Sequence, residues 1–232
     1  MPDFKVVRQI AQQTLTTPSL SEKQGSWLWD RTCCILRNVE QISRLPEPAR
    51  HATAIDRPCL ITAAYFAESG HITFSQERNT TGSIPPDISD AELFTASTQI
   101  VSKQLSKVLN PTQIHKINKI ITESLNRFTQ MIEAMILSDA RNLEDMGSIG
   151  LLHELRRNLI QGKSVSDLLD SWKYKIEYGY WQARIKESFR FDSVRQVAQQ
   201  RLAAAAVFMD QAAIENSARD LEKYILQTAQ KQ

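Results

Sequence analysis

The chain has 232 residues, with 28 Lys and Arg against 26 Asp and Glu, a net charge of +2. That length suits one large domain, able to bury roughly 70% of the surface its unfolded chain exposes without help from disulfides. The near-neutral balance excludes the basic excess of a nucleic-acid binder, and no segment approaches the apolar length of a membrane span.

The opening "MPDFKVVRQIAQQ" carries charges and glutamines where a secretion signal needs a continuous apolar run. Cys33, Cys34 and Cys59 show no metal-site spacing, so reduced thiols and a cytoplasmic location are expected. Periodicity is helical almost throughout. In "DRTCCILRNVEQISRLPEP" Ile35, Val39 and Ile42 share one face, and Pro46 ends the segment. "DRPCLITAAYFAES" has Asp56 as cap and Pro58 in its first turn, then runs nearly all apolar, which predicts a central, buried helix.

The polar stretch Ser75–Pro86, "SQERNTTGSIPP", reads as a surface loop, part of an insertion over 75–90 within a single domain of 1–232. Ser89 and Glu92 have capping-box spacing and open the next helix. Asn110 and Pro111 start a long helix with Ile114, Ile117, Ile120 and Ile121 along one side. Further helices are predicted from about Val165 and from Asp192 through "VRQVAQQRLAAAAVFMDQAAIE". The expectation is an all-α bundle of roughly seven to nine helices with no strand.

Candidate chemistry is sparse. His51, His71, His115 and His153 are dispersed and read as surface or capping residues rather than ligands. Trp27, Trp29, Trp172 and Trp181 read as core anchors. No glycine-flanked nucleophile and no phosphate-cradling glycine loop is present. In "ILSDARNLEDMGSIG", residues 136 to 150, Asp139 follows an apolar run. An ionised carboxylate there needs a cation or several donors, so an ion pair with Arg141 or another basic residue is preferred over a catalytic role.

"ILSDARNLEDMGSIGLL" resembles the segment of the HD superfamily of metal-dependent phosphohydrolases that commonly reads Asp-Ala-Asp-Arg-Leu-Asp-Ala-Leu-Gly-Ala-Ile-Gly. "LITAAYFAESGHI" looks like that family's His-Asp helix end, "WLWDRTCCILRNVEQIS" like its first His-bearing helix, and "NKIITES" like the helix ending in Ile-x-x-His-Ser. "DSVRQVAQQRLAAAAVFMDQ" is similar to its closing helix. The order and spacing hold from about residue 27 to 215, implying one HD-like helical domain.

Carried across residue by residue, the resemblance places the family's first His at Arg31 and its His-Asp doublet at Ala67 and Glu68. Its last metal-binding Asp falls on Asp139, and the additional His of many members falls on Glu123. His51 lies too close to Glu68 in the chain to replace the first ligand. The family's ion activates water and polarises a phosphoester. A guanidinium offers that ion no lone pair and Ala67 offers no donor, so no metal or other cofactor is expected.

The resemblance thus implies a degenerate HD protein that has lost phosphohydrolase activity and acts as a structural module or as a binding module for a small anionic ligand or nucleotide. Arg31 is expected to pair with Asp139 or Glu68, or both, and its removal to cost about 3–5 kcal/mol. The alternative is a residual phosphohydrolase holding Mg²⁺ or Mn²⁺ through Glu68 and Asp139, with Glu123 as an accessory. A third reading is a structural protein that works through an outer surface such as the 75–86 loop.

Overall fold

Capping residues set where four of the described helices begin. In the computed structural model, which describes residues 4–18, 24–51, 53–77 and 88–222, Asp56 accepts a hydrogen bond from the Cys59 amide at 3.1 Å. Ser89 with Glu92, Asn110 with Gln113, and Ser164 with Asp167 form reciprocal capping boxes. Each satisfies amides that the first helical turn would otherwise leave without acceptors.

The chain divides into two compact units, Met1–Glu144 with Ser188–Val194, and Asp145–Glu187 with Arg195–Gln232. The first contains α1 (Phe4–Leu15), α2 (Trp27–Ile42), α3 (Pro46–Ala49), α4 (Arg57–Phe66), α5 (Gly70–Glu77), α6 (Asp90–Leu105), α7 (Pro111–Glu123) and α8 (Ile132–Glu144). Helix α4 is its centre, packing against α1, α2, α6, α7 and α8. The apolar run predicted this: from Cys59 to Phe66 only Ile61 is not fully buried, and hiding a side chain such as Phe66 contributes about 1.5–3 kcal/mol. Helix α2 turns Leu28, Ile35, Val39 and Ile42 inward, and Trp29 stacks on Tyr65 with ring centres 5.9 Å apart.

The second unit holds α9 (Gly147–Ile160), α10 (Val165–Glu177), α11 (Tyr180–Ser188) as far as Glu187, and α12 (Asp192–Asn216) from Arg195 onward. Trp172 and Trp181 meet at 5.5 Å between ring centres, Lys175 pairs with Glu154, and Arg184 pairs with Asp145 at 2.9 Å. Gly147 has φ +78°, and a Cβ there would lie 2.8 Å from the Arg201 Cβ. Only glycine accepts that backbone and that contact together.

The all-α expectation holds, with twelve helices among the described residues. The surplus over seven to nine comes from short pieces such as α3, which periodicity cannot detect. A two-residue ribbon, β1 (Thr17–Pro18) with β2 (Gln24–Gly25), is the one strand pairing among the described residues. Helix α5 continues to Glu77, past the predicted start of the loop at Ser75, and residues 78–87 of that loop lie outside the described residues. No described helix is long and apolar enough to cross a membrane.

Candidate functional site

The α4–α5 corner is a tight turn, and its sequence explains why. Ala67 caps the end of α4, Glu68 and Ser69 form the turn, and Gly70 starts α5. The Ser97 hydroxyl of α6 donates to the Ala67 carbonyl at 2.9 Å and accepts from the Gly70 amide at 2.8 Å. A Cβ at Gly70 would fall 2.1 Å from the Leu93 carbonyl oxygen, so glycine is needed for α5 to approach α6. This corner drives Glu68 into the interior, where it is 1% exposed.

Three groups converge on Glu68. Arg141 of α8 donates through Nε to Oε1 at 2.6 Å, Arg31 of α2 donates through Nε to Oε2 at 3.3 Å, and His71 Nε2 lies 3.2 Å from Oε2. Burial by itself pushes the Glu68 carboxyl up, but Arg141, Arg31 and His71 outweigh it and hold the group well below the usual carboxylate value. Two guanidiniums on one carboxylate are the kind of partners a buried charge requires. Arg141 also sets its guanidinium over the Phe94 ring, 4.2 Å from the centroid. Its side chain is 15% exposed, and its terminal Nη groups donate no hydrogen bond among the described residues.

Asp139 is fully buried on α8. Its Oδ1 accepts from the Arg190 amide at 2.8 Å and its Oδ2 from the Phe191 amide at 3.0 Å. Those two amides lie just before α12, so the carboxylate ties α8 to that helix start. Neighbouring polar ties brace the same helices: Asn38 of α2 donates to the Ala140 carbonyl and to Glu144 of α8. Lys116 of α7 reaches both Asp56 and buried Glu133 at 3.1 Å.

The structure therefore brings Arg31 and Glu68 into contact and sets Ala67, buried, beside them. Glu123 stands at the end of α7, where the Thr129 hydroxyl and the Asn126 amide donate to it and lower its carboxyl pKa. It serves the turn after its own helix.

Two expectations change. Arg141 pairs with Glu68 rather than Asp139, because residues two apart on a helix point to different sides. His71 is buried at 6% exposure instead of lying at the surface. Its spacing of three from Glu68 was the available signal, since residues i and i+3 are neighbours across a helical turn. The two main-chain donors to Asp139 carry no side-chain signature at all.

No model of a known family matches the chain, and no curated protein matches it. Solved structures do. YpgQ from Bacillus subtilis, in complex with ADP, aligns with a TM-score of 0.58 at 14% identity, covering 90% of this chain and 97% of that one. A predicted HD superfamily hydrolase from an uncultured Thermotogales bacterium aligns at 0.54 and 13% identity, covering 92% and 93%. A protein from Lactobacillus plantarum aligns at 0.58 and 15% identity, covering 92% and 96%. The chain has an HD-like fold.

Proposed function

We propose that this chain is an HD-type domain that has lost metal-dependent phosphohydrolase chemistry and binds a small anionic ligand, with a nucleoside diphosphate the leading candidate. The carrying observation is the Glu68 carboxylate bracketed by Arg31 and Arg141. A divalent ion needs lone pairs from its surroundings. At the four positions of the family's ligand set, Arg31 and Ala67 offer none, and both oxygens of Glu68 already accept from cationic or imidazole donors. Among the described residues no three His, Cys, Asp or Glu side chains converge as a ligand group. The residues present do not fit the ion, and we derive no step through it.

The same groups favour an anion. The Glu68 cluster places two permanent positive charges and an imidazole against one carboxylate, and the Nη donors of Arg141 suit a phosphate or carboxylate. The ADP held by the structurally similar YpgQ names a reasonable first probe.

The test is a thermal-shift titration with ADP in EDTA, beside mass-spectrometric metal analysis after gel filtration. At about a hundred times Kd, ADP should add about 2.7 kcal/mol, a rise of roughly 5–10 °C for a chain of this size. The rise should disappear in Arg141→Met. About one divalent ion retained per chain, with phosphate release, would overturn the proposal in favour of a working phosphohydrolase. No stabilisation by ADP or other phosphorylated metabolites would leave a structural module instead.

A further inference from the structure

The second unit contains a cavity of about 710 Å³ lined by residues of α10, α11 and α12, within the usual range for small-molecule sites. Its lining is ordered from polar to apolar along the helices. Nearest the connection between α11 and α12 stand Lys186 and Arg195; one turn further along each helix stand Gln182 and Gln199. Beyond them the lining is aliphatic, with Ile176, Leu202 and Ala206. Ile185, buried at 5% exposure, also faces the cavity. From Arg195 to Ala206 the α12 side runs about 16 Å at 1.5 Å per residue.

The order follows from spacing. Gln182, Ile185 and Lys186 lie at i, i+3 and i+4 on α11, and Arg195, Gln199, Leu202 and Ala206 at i, i+4, i+7 and i+11 on α12, so each helix gives one continuous face. Both charged lining residues are cations, and the described lining includes no carboxylate and no aromatic ring. A nucleotide would find no ring on which to stack its base and no acid to bind its ribose. An aliphatic body with a single anionic head matches every zone.

We infer that this cavity is a binding site for a single-chain amphiphile, an aliphatic carboxylate of about ten to fourteen carbons by the length of the groove, with its head at Lys186 and Arg195. Arg195 positions the polar end, Lys186 supplies the accessible charge, and the aliphatic zone removes the chain from water at about 0.8 kcal/mol per CH₂. The site shares no residue with the Glu68 cluster and stands independently of the function proposed there.

Calorimetric titration of the full chain with dodecanoate, dodecanol and butyrate, below micelle-forming concentrations, separates head from tail. One dodecanoate should bind per chain, with butyrate, which lacks most of the aliphatic chain, weaker by roughly a thousandfold or more and dodecanol weaker on the order of tenfold. Lys186→Gln should weaken dodecanoate by a similar factor and leave dodecanol unchanged. Ala203→Phe, at an exposed position of α12 that lines the cavity, should abolish both while circular dichroism shows an unchanged helical spectrum. Equal binding of acid and alcohol, several equivalents per chain, or undiminished affinity in a folded Ala203→Phe protein would overturn the assignment.

Discussion

Glu68 and Asp139 are both buried carboxylates, yet different kinds of donor meet them. Glu68 lies in a turn between helices, where the long side chains of Arg31 and Arg141 reach it from α2 and α8. Asp139 lies within α8 and accepts from two successive main-chain amides, those of Arg190 and Phe191. The contrast has a chemical consequence. Guanidiniums bring net charge and further donors that a ligand can share, whereas main-chain amides bring direction and position without a formal charge. Glu68 therefore belongs to a charge cluster, whereas the two main-chain amides make Asp139 a tie between α8 and the start of α12, with the Arg190 guanidinium also interacting with it electrostatically.

The contrast can be broken experimentally, starting where the effect should be largest. Glu68→Ala leaves two guanidiniums facing a desolvated cavity, so its cost belongs at the upper end of the range for a broken buried ion pair, about 5 kcal/mol. Urea unfolding should show the midpoint falling accordingly, and a loss under about 1 kcal/mol would mean that water already reaches the cluster. Arg31→Ala should cost about 3 kcal/mol, the lower end of the expected range, because Arg141 and His71 remain on Glu68. An unchanged melting temperature would contradict an ion-pair role for Arg31.

Asp139→Asn keeps the side-chain volume but turns an amide donor toward one of the two main-chain N–H groups. We expect a loss of about 2 kcal/mol from that unsatisfied donor. Ligand-induced stabilisation by ADP should survive this change if Asp139 acts as a tie, and its disappearance would join the two carboxylates into one functional site.

The pH response sharpens the same comparison. The Glu68 carboxyl is held well below its ordinary 4.5 in the folded protein, so the unfolded chain binds the proton more readily. Its stabilising contribution is therefore complete above about pH 4.5 and is lost as the pH falls through the lower folded-state value. Between pH 5 and pH 3 the wild-type protein should lose more stability than Glu68→Gln, measured by urea midpoints. Parallel pH profiles would remove Glu68 from the acid response.

Much of this is legible in the sequence. The caps at Asp56, Ser89 and Asn110, the buried run of α4 and the start of α12 at Asp192 all follow from local chemistry. The likeness of "ILSDARNLEDMGSIGLL" and "LITAAYFAESGHI" to HD segments placed Arg31 opposite Glu68, and the two do meet. Of the basic partners the sequence leaves open for Asp139, Arg141 turns to Glu68 instead, because residues two apart on a helix point to different sides. His71 carries no signal as a lone histidine; only its distance of three from buried Glu68 points to the contact.

The capped helix starts and the apolar run of α4 are properties of the sequence, because capping, periodicity and residue chemistry act over a few positions. Which cation reaches Glu68, and which amides donate to Asp139, were decided only when α2, α8 and the segment before α12 came together. Those pairings span 37 residues for Arg31, 73 for Arg141 and 51 for the Arg190 amide. No local rule reaches so far along a chain.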